Sequence, residues 1–202
     1  MPVVLRNGAE IDDPLTAVVA FLDAYPHYDA VAGSPASFRE TDLRLANRGG
    51  ARISAAEIAA ILERRRAIER PLRAIAPGAS LAGTAVPWTP LRLLFEAFAD
   101  IKGVGFAKMT KALHPKRRAL IPLLDSLVQR HLADDDPGAE APFGERATAL
   151  VHGYKRDLDR NRAALRAARR ELARRGYQVT EVRILDVLIW SAEALTSERR
   201  QP

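Results

Sequence analysis

Ala99 to Asp125 reads ADIKGVGFAKMTKALHPKRRALIPLLD. Gly103 and Gly105 flank one apolar residue, so the backbone can turn sharply there, and Val104 can tuck between the flanking helices and set their angle. Helical periodicity resumes at Phe106 and carries a helix to about His114. The stretch 93–114 therefore reads as a helix, a tight hairpin and a second helix. The second helix presents unpaired N–H groups at its start, which attract phosphate together with the helix dipole. Lys102, Lys108 and Lys111 add positive charge beside Gly103, Val104 and Gly105, as sequence-independent contact with a nucleic-acid backbone requires. The same Gly-Val-Gly also serves any tight turn between two helices.

On both sides of the hairpin nearly every segment has helical period. Pro14 to Tyr25 carries Leu15, Val18, Val19 and Leu22 at that spacing, and a short helix from Thr41 stops at Gly49-Gly50. Ser54-Ala-Ala-Glu57 is a capping box opening a helix with Ile58, Ile61 and Leu62 inward, which Pro71 should kink or end. Pro77 to Pro87 is a connector and the natural place for any seam. Thr89-Pro90 supplies an N-cap and first-turn proline for a helix through about Ala99, with Leu93, Leu94 and Phe98 facing the core. Pro122 opens a helix to about Leu132, one long basic helix runs to Arg174, and Thr180 caps a closing helix bearing Val182, Leu185, Leu188 and Ile189. No β alternation extends beyond Val3 to Leu5. The expectation is an all-α protein, one helical domain over 1–202, with C-terminal helices over 144–202.

Of 202 residues, 31 are Lys or Arg and 25 are Asp or Glu, a net charge of +6 with a pI near 10.0, so polyanions are the first partners to consider. The charge is clustered: Lys155 to Arg175 holds nine basic residues against three acids, and Asp100 to Arg118 holds six against one. The remainder is net acidic. Solvated helix faces rich in arginine give the same pattern. The absence of cysteine excludes disulfides, thiolate zinc sites, cysteine nucleophiles and iron–sulfur clusters. No apolar run is long enough for a membrane span, and Met1 to Ile11 lacks the features of a signal peptide, so a cytoplasmic protein without membrane contact is expected.

The segment Ile121-Pro-Leu-Leu-Asp125-Ser-Leu-Val-Gln-Arg130 places a single carboxylate in an apolar stretch just after the hairpin unit. With it, Ala99 to Leu132 resembles the helix-hairpin-helix DNA glycosylase superfamily of endonuclease III, the adenine-mismatch glycosylase and the alkylpurine glycosylases. Asp125, Ser126, Val128 and Arg130 fall on that family's pattern, and Asp125 follows Gly103 by 22 positions, a spacing similar to that of endonuclease III. The resemblance implies that Asp125 is catalytic, stabilising positive charge on the sugar or activating water, and that Arg130 belongs to the DNA-binding set. It also implies a monovalent cation held at the hairpin by the carbonyls of Ala99, Ile101 and Val104.

Departures from the pattern sharpen the expectation. Ala107 stands where strand-nicking members carry a lysine, and Lys108 sits about 100° further around the helix. A monofunctional enzyme follows, releasing a damaged or mismatched base without cutting the strand, with Lys108 left to contact phosphate. Leu127 and Met109 also depart from the family pattern, and the iron–sulfur cysteines are missing. Beyond this segment the chain resembles an uncharacterised bacterial family known only as a domain of unknown function, through Asp42-Leu43 with Ala46-Asn47, the hairpin, Ile121 to Ser126 and Val182 to Trp190. A carboxylate at a helix N-terminus also interacts with the dipole for structural reasons alone.

Aromatic residues Tyr25, His27, Tyr28 and Trp88 are candidates for a base pocket or wedge. Asp186 and Trp190, one turn apart beside Arg183, read as a packed polar contact. His114, His131 and His152 lack metal-ligand spacing, and no Walker loop or nucleophile elbow is present. Three functions are open at this level: a monofunctional DNA glycosylase acting on duplex DNA, a helix-hairpin-helix DNA-binding module without chemistry, and a helical protein-interaction protein. The residues do not specify an oligomeric state.

Overall fold

The structure is a computed structural model and describes residues 1–25 and 34–198; His27 and Tyr28 lie outside them. It bears out the all-α architecture. A two-residue hairpin, β1 (Val3–Val4) with β2 (Glu10–Ile11), pairs Val3 with Ile11 and Val4 with Glu10 and is followed by helices. These are α1 (Pro14–Ala24), α2 (Glu40–Arg48), α3 (Ala55–Glu63), α4 (Arg65–Ala74), α5 (Trp88–Glu96), α6 (Phe106–Leu113), α7 (Ser126–His131), α8 (Phe143–Arg160), α9 (Arg162–Arg174) and α10 (Glu181–Glu198). Helix α10 is the centre. Val182, Ile184, Leu185, Val187, Leu188 and Ile189 are buried on it, and α1, α7, α8 and α9 pack around them. Helix α5 lies between α4 and α8, and α6 packs on α2. No helix among the described residues is long and apolar enough to cross a membrane.

Several helix ends differ from the sequence expectation for identifiable reasons. The α3 capping box forms as expected, but the helix breaks at Arg64 rather than at Pro71, which is buried inside α4. Helix α5 starts at Trp88 and stops at Glu96; Leu94 and Phe98 are buried while Leu93 is exposed. Pro122 opens no helix. Residues 121–125 are non-helical, and α7 starts at Ser126 with Asp125 as its N-cap. The long basic helix is two helices, because the Asn161 side chain turns to the backbone of Val4, accepting from its N–H and donating to its carbonyl, both at 2.9 Å.

Much of the charge in the two basic windows is buried or paired. Lys116 and Arg117 are buried: the Lys116 ammonium pairs with Asp42 at 2.8 Å, and the Arg117 guanidinium donates to the carbonyls of Pro35, Lys116, Leu72 and Ile75. On α8 and α9, Lys155, Arg156, Arg160, Arg162, Arg169, Arg174 and the following Arg175 all pair with acids. Phe143 at the start of α8 touches Phe106 beside the hairpin, which leaves the basic end of that helix about 26 Å away along its axis.

Candidate functional site

The hairpin itself forms with the expected backbone. Gly103 has φ +82°, a left-handed conformation that glycine adopts without strain, and Val104 is buried between the segments it joins. Helix α6 begins after Gly105 with no side chain capping its first N–H groups. Its surroundings are not those of an open phosphate site, however. Glu57 at the start of α3 lies against Gly103 and accepts from the Lys108 ammonium at 2.7 and 2.8 Å, so Lys108 is committed to an ion pair. Burial pushes the Glu57 carboxyl up, but Lys108 and the Ser54 N–H outweigh it and hold it below its ordinary value.

The cation expected at the hairpin does not fit. The Ala99 carbonyl accepts from the Arg64 guanidinium at 2.7 Å, and the Ile101 carbonyl accepts from the Val104 N–H at 3.0 Å. A fixed positive charge already lies where the ion would bind, and two of its three ligands are engaged. Among the described residues no cluster of His, Asp or Glu could hold a metal ion either.

Asp125 is placed differently. Its carboxylate accepts from the N–H groups of Leu127 and Val128, both at 3.0 Å, and faces a pocket of about 480 Å³. That volume lies within the range of roughly 300–1,000 Å³ typical of small-molecule sites. Phe21, Tyr25 and Trp190 form its aromatic wall, with Phe21 and Trp190 edge to face at 5.5 Å between centroids and Tyr25 at 6.5 Å from Trp190. Arg183 spreads over the Phe21 ring at 5.1 Å, a cation–π contact. Lys111 of α6 is half-buried at the pocket edge and donates to the Gly50 carbonyl at 3.1 Å. Burial lowers its ammonium pKa, the field of Asp125 opposes this, and Arg52 and Arg183 reinforce it.

The turn after α2 also lines the pocket, through Arg48, Gly49, Gly50 and Arg52. Asn47 braces this turn: its amide accepts from the Ile53 N–H at 2.7 Å and donates to the Ile53 carbonyl at 2.8 Å. Gly50 has φ +74°, and Arg52 has φ +55°, which is uncommon for a side-chain-bearing residue. Asp186 on the pocket floor is buried and takes the Leu123 N–H at 3.2 and 3.3 Å. Burial raises its carboxyl well above the ordinary carboxylate range, and the negative charge of Asp125 adds to this; Arg183 and the Leu123 N–H oppose it.

The structure thus brings Lys111, Asp125 and the aromatic candidate Tyr25 together and leaves the other expected site residues elsewhere. Lys102 is exposed beside the hairpin, and Arg130 is exposed on the last turn of α7, outside the pocket. Trp88 stacks on His152 at 3.6 Å and does not line it. Asp186 and Trp190, read as a packed pair, both line the pocket instead. Arg48, Arg52 and Phe21 have no counterpart in the sequence reading. The sole hint was the Gly49-Gly50 stop between two arginines. No curated protein and no solved structure matches the chain. The family of unknown function DUF6308 matches residues 19–193, and the chain belongs to it.

Proposed function

We propose that the protein is a monofunctional N-glycosylase that releases a base from DNA, with Asp125 as its catalytic carboxylate. The observation that carries this reading is the position of Asp125: the one carboxylate on the glycosylase-like pattern opens onto an aromatic-walled pocket of about 480 Å³, roomy enough for a nucleobase with its sugar. A base turned out of a helix needs such a wall to replace its lost stacking. As the bond between C1′ and the base nitrogen breaks, positive charge grows on the sugar, and a fixed carboxylate there favours the transition state. Water supplies the hydroxyl that joins C1′ and the proton that the base takes. Ala107 stands where strand-nicking members of the resembled superfamily carry a lysine, and Lys108 is held by Glu57, which supports the monofunctional reading.

The test is a screen of duplex and single-stranded DNA carrying uracil, hypoxanthine, alkylated purines, oxidised bases and mismatches. Base release should be abolished by Asp125→Asn, strand breaks should need alkali or heat, and borohydride should trap nothing. If none of the substrates releases a base, or Asp125→Asn releases it at the wild-type rate, the reading fails. The binding module without chemistry is then the better account, supported by the two N–H groups that Asp125 caps.

A further inference from the structure

Two exposed arginines on a strained, braced turn need an explanation that packing does not supply. Arg48 and Arg52 are solvent-exposed, make no ion pair with any described acid, and line the same pocket as Asp125. Many of the chain's other basic residues are paired, as on α8 and α9, or buried, as with Lys116 and Arg117. Arg52 is also held in the left-handed region, at a cost that persists only where the surroundings over-determine it. Asn47 does so through both Ile53 backbone groups, and Lys111 ties the Gly50 carbonyl to the Asp125 side of the pocket. The turn is therefore rigid, and its guanidiniums are presented to the pocket.

We propose that the turn carrying Arg48 and Arg52 is a phosphate-ester clamp, which binds the phosphate of the nucleotide whose base lies against Tyr25 and Trp190. It rests on the glycosylase reading for the base and sugar positions, and it moves the backbone contact from the hairpin to the turn after α2. Guanidinium is suited to this task, since its planar fork donates two parallel hydrogen bonds to phosphate oxygens. Glu57 makes the complementary argument, because it already holds the Lys108 ammonium that the hairpin would offer a phosphate. The ligand chemistry is an N-glycoside bearing a phosphate ester, from a free nucleotide or from a DNA strand.

Trp190 supplies the readout. The chain has two tryptophans, so Trp88→Phe leaves Trp190 on the pocket wall as the one reporter. Its fluorescence is titrated with 2′-deoxyadenosine, its 5′-monophosphate and a short single-stranded oligodeoxynucleotide. The monophosphate should bind about tenfold or more tightly than the nucleoside, the worth of a charge-assisted contact. Arg48→Gln combined with Arg52→Gly should erase that advantage, so that monophosphate and nucleoside bind alike. Glycine at 52 relieves the positive φ, so a melting temperature at or above wild type separates lost contact from lost fold. Equal binding of oligonucleotide and monophosphate identifies a free nucleotide, and much tighter oligonucleotide binding a strand; both support the clamp if the arginines are needed. Absence of a phosphate advantage, its persistence in the double variant, or no binding of any probe overturns it. An arginine-dependent advantage without base release leaves the clamp standing and removes the glycosylase; base release with unchanged KM in the double variant does the reverse.

Discussion

Glu57 and Lys108 are joined by two hydrogen bonds of 2.7 and 2.8 Å beside Gly103 of the hairpin, and the pair ties up the charge that Lys108 would offer a phosphate there. Glu57→Gln keeps the capping contact to Ser54 and releases the Lys108 charge. If DNA reaches the hairpin at all, this substitution should tighten binding and steepen its salt dependence by about one unit of slope per added phosphate contact. Binding as a function of salt, wild type beside variant, checks this; an unchanged slope places the DNA contact elsewhere.

Gly103→Ala tests the same contact from the other side. A methyl group there meets left-handed backbone and the Glu57 carboxylate together. The expected loss is about 1–2 kcal/mol by urea unfolding. In a Glu57→Ala background only the backbone part should remain. Equal losses in both backgrounds would show that Glu57 does not press on the hairpin.

The capping that Asp125 performs and the catalysis proposed for it are separated by a pair of substitutions. Asparagine caps a helix as well as aspartate, so Asp125→Asn should keep stability within a few tenths of a kcal/mol, while Asp125→Ala should lose about 1 kcal/mol. Loss of base release in the asparagine variant, at unchanged stability, assigns the effect to charge. A large stability loss in that variant would point to a purely structural carboxylate.

Arg117 is 2 % exposed and held by four carbonyls, two of them, Leu72 and Ile75, at the end of α4. Burial pushes its pKa down, yet the carbonyl cage leaves it charged. Lysine cannot span the four acceptors, so Arg117→Lys should cost about 2–4 kcal/mol in urea unfolding. A loss below about 0.5 kcal/mol would mean that the cage is not a folding constraint.

What the sequence shows plainly is local. The Ser54 to Glu57 box, the Gly103 turn and the Thr180 cap each act within four residues, and each forms as read. What it hides is tertiary. Lys116 and Arg117 look like surface charge because nothing near them in sequence tells of Asp42 or of the Leu72 and Ile75 carbonyls. Asn161 breaks a helix of unbroken periodicity because Val4, at the other end of the chain, needs its amide. The candidate site follows the same division. Asp125 was legible through its spacing to the hairpin, whereas Arg48, Arg52, Phe21 and Asp186 join it only once α1, α2 and α10 meet.

Asp186 carries the last prediction, because its protonation decides the charge of the pocket. Burial raises its carboxyl well above the ordinary range, so the folded state holds the proton more tightly than the unfolded chain does. The stability linked to it is therefore fully present below the unfolded pKa and is lost as pH rises through the folded one. Asp186→Asn copies the neutral carboxyl, still accepts the Leu123 N–H and does not titrate. The stability of the variant relative to wild type should thus rise with pH, by about 1.4 kcal/mol per unit between the two pKa values. At neutral pH the variant should be at least as stable as wild type. Asp186→Ala, which leaves the Leu123 N–H without its acceptor, should instead lose about 1–3 kcal/mol. Arg48, Arg52, Lys111 and Arg183 outnumber Asp125 and Asp186 in the pocket lining, so a proton on Asp186 adds to a positive charge that already favours a phosphorylated ligand. Denaturant unfolding of both variants from pH 4 to pH 9 checks the sign, and a constant difference between asparagine and wild type across that range would show that Asp186 is ionised throughout.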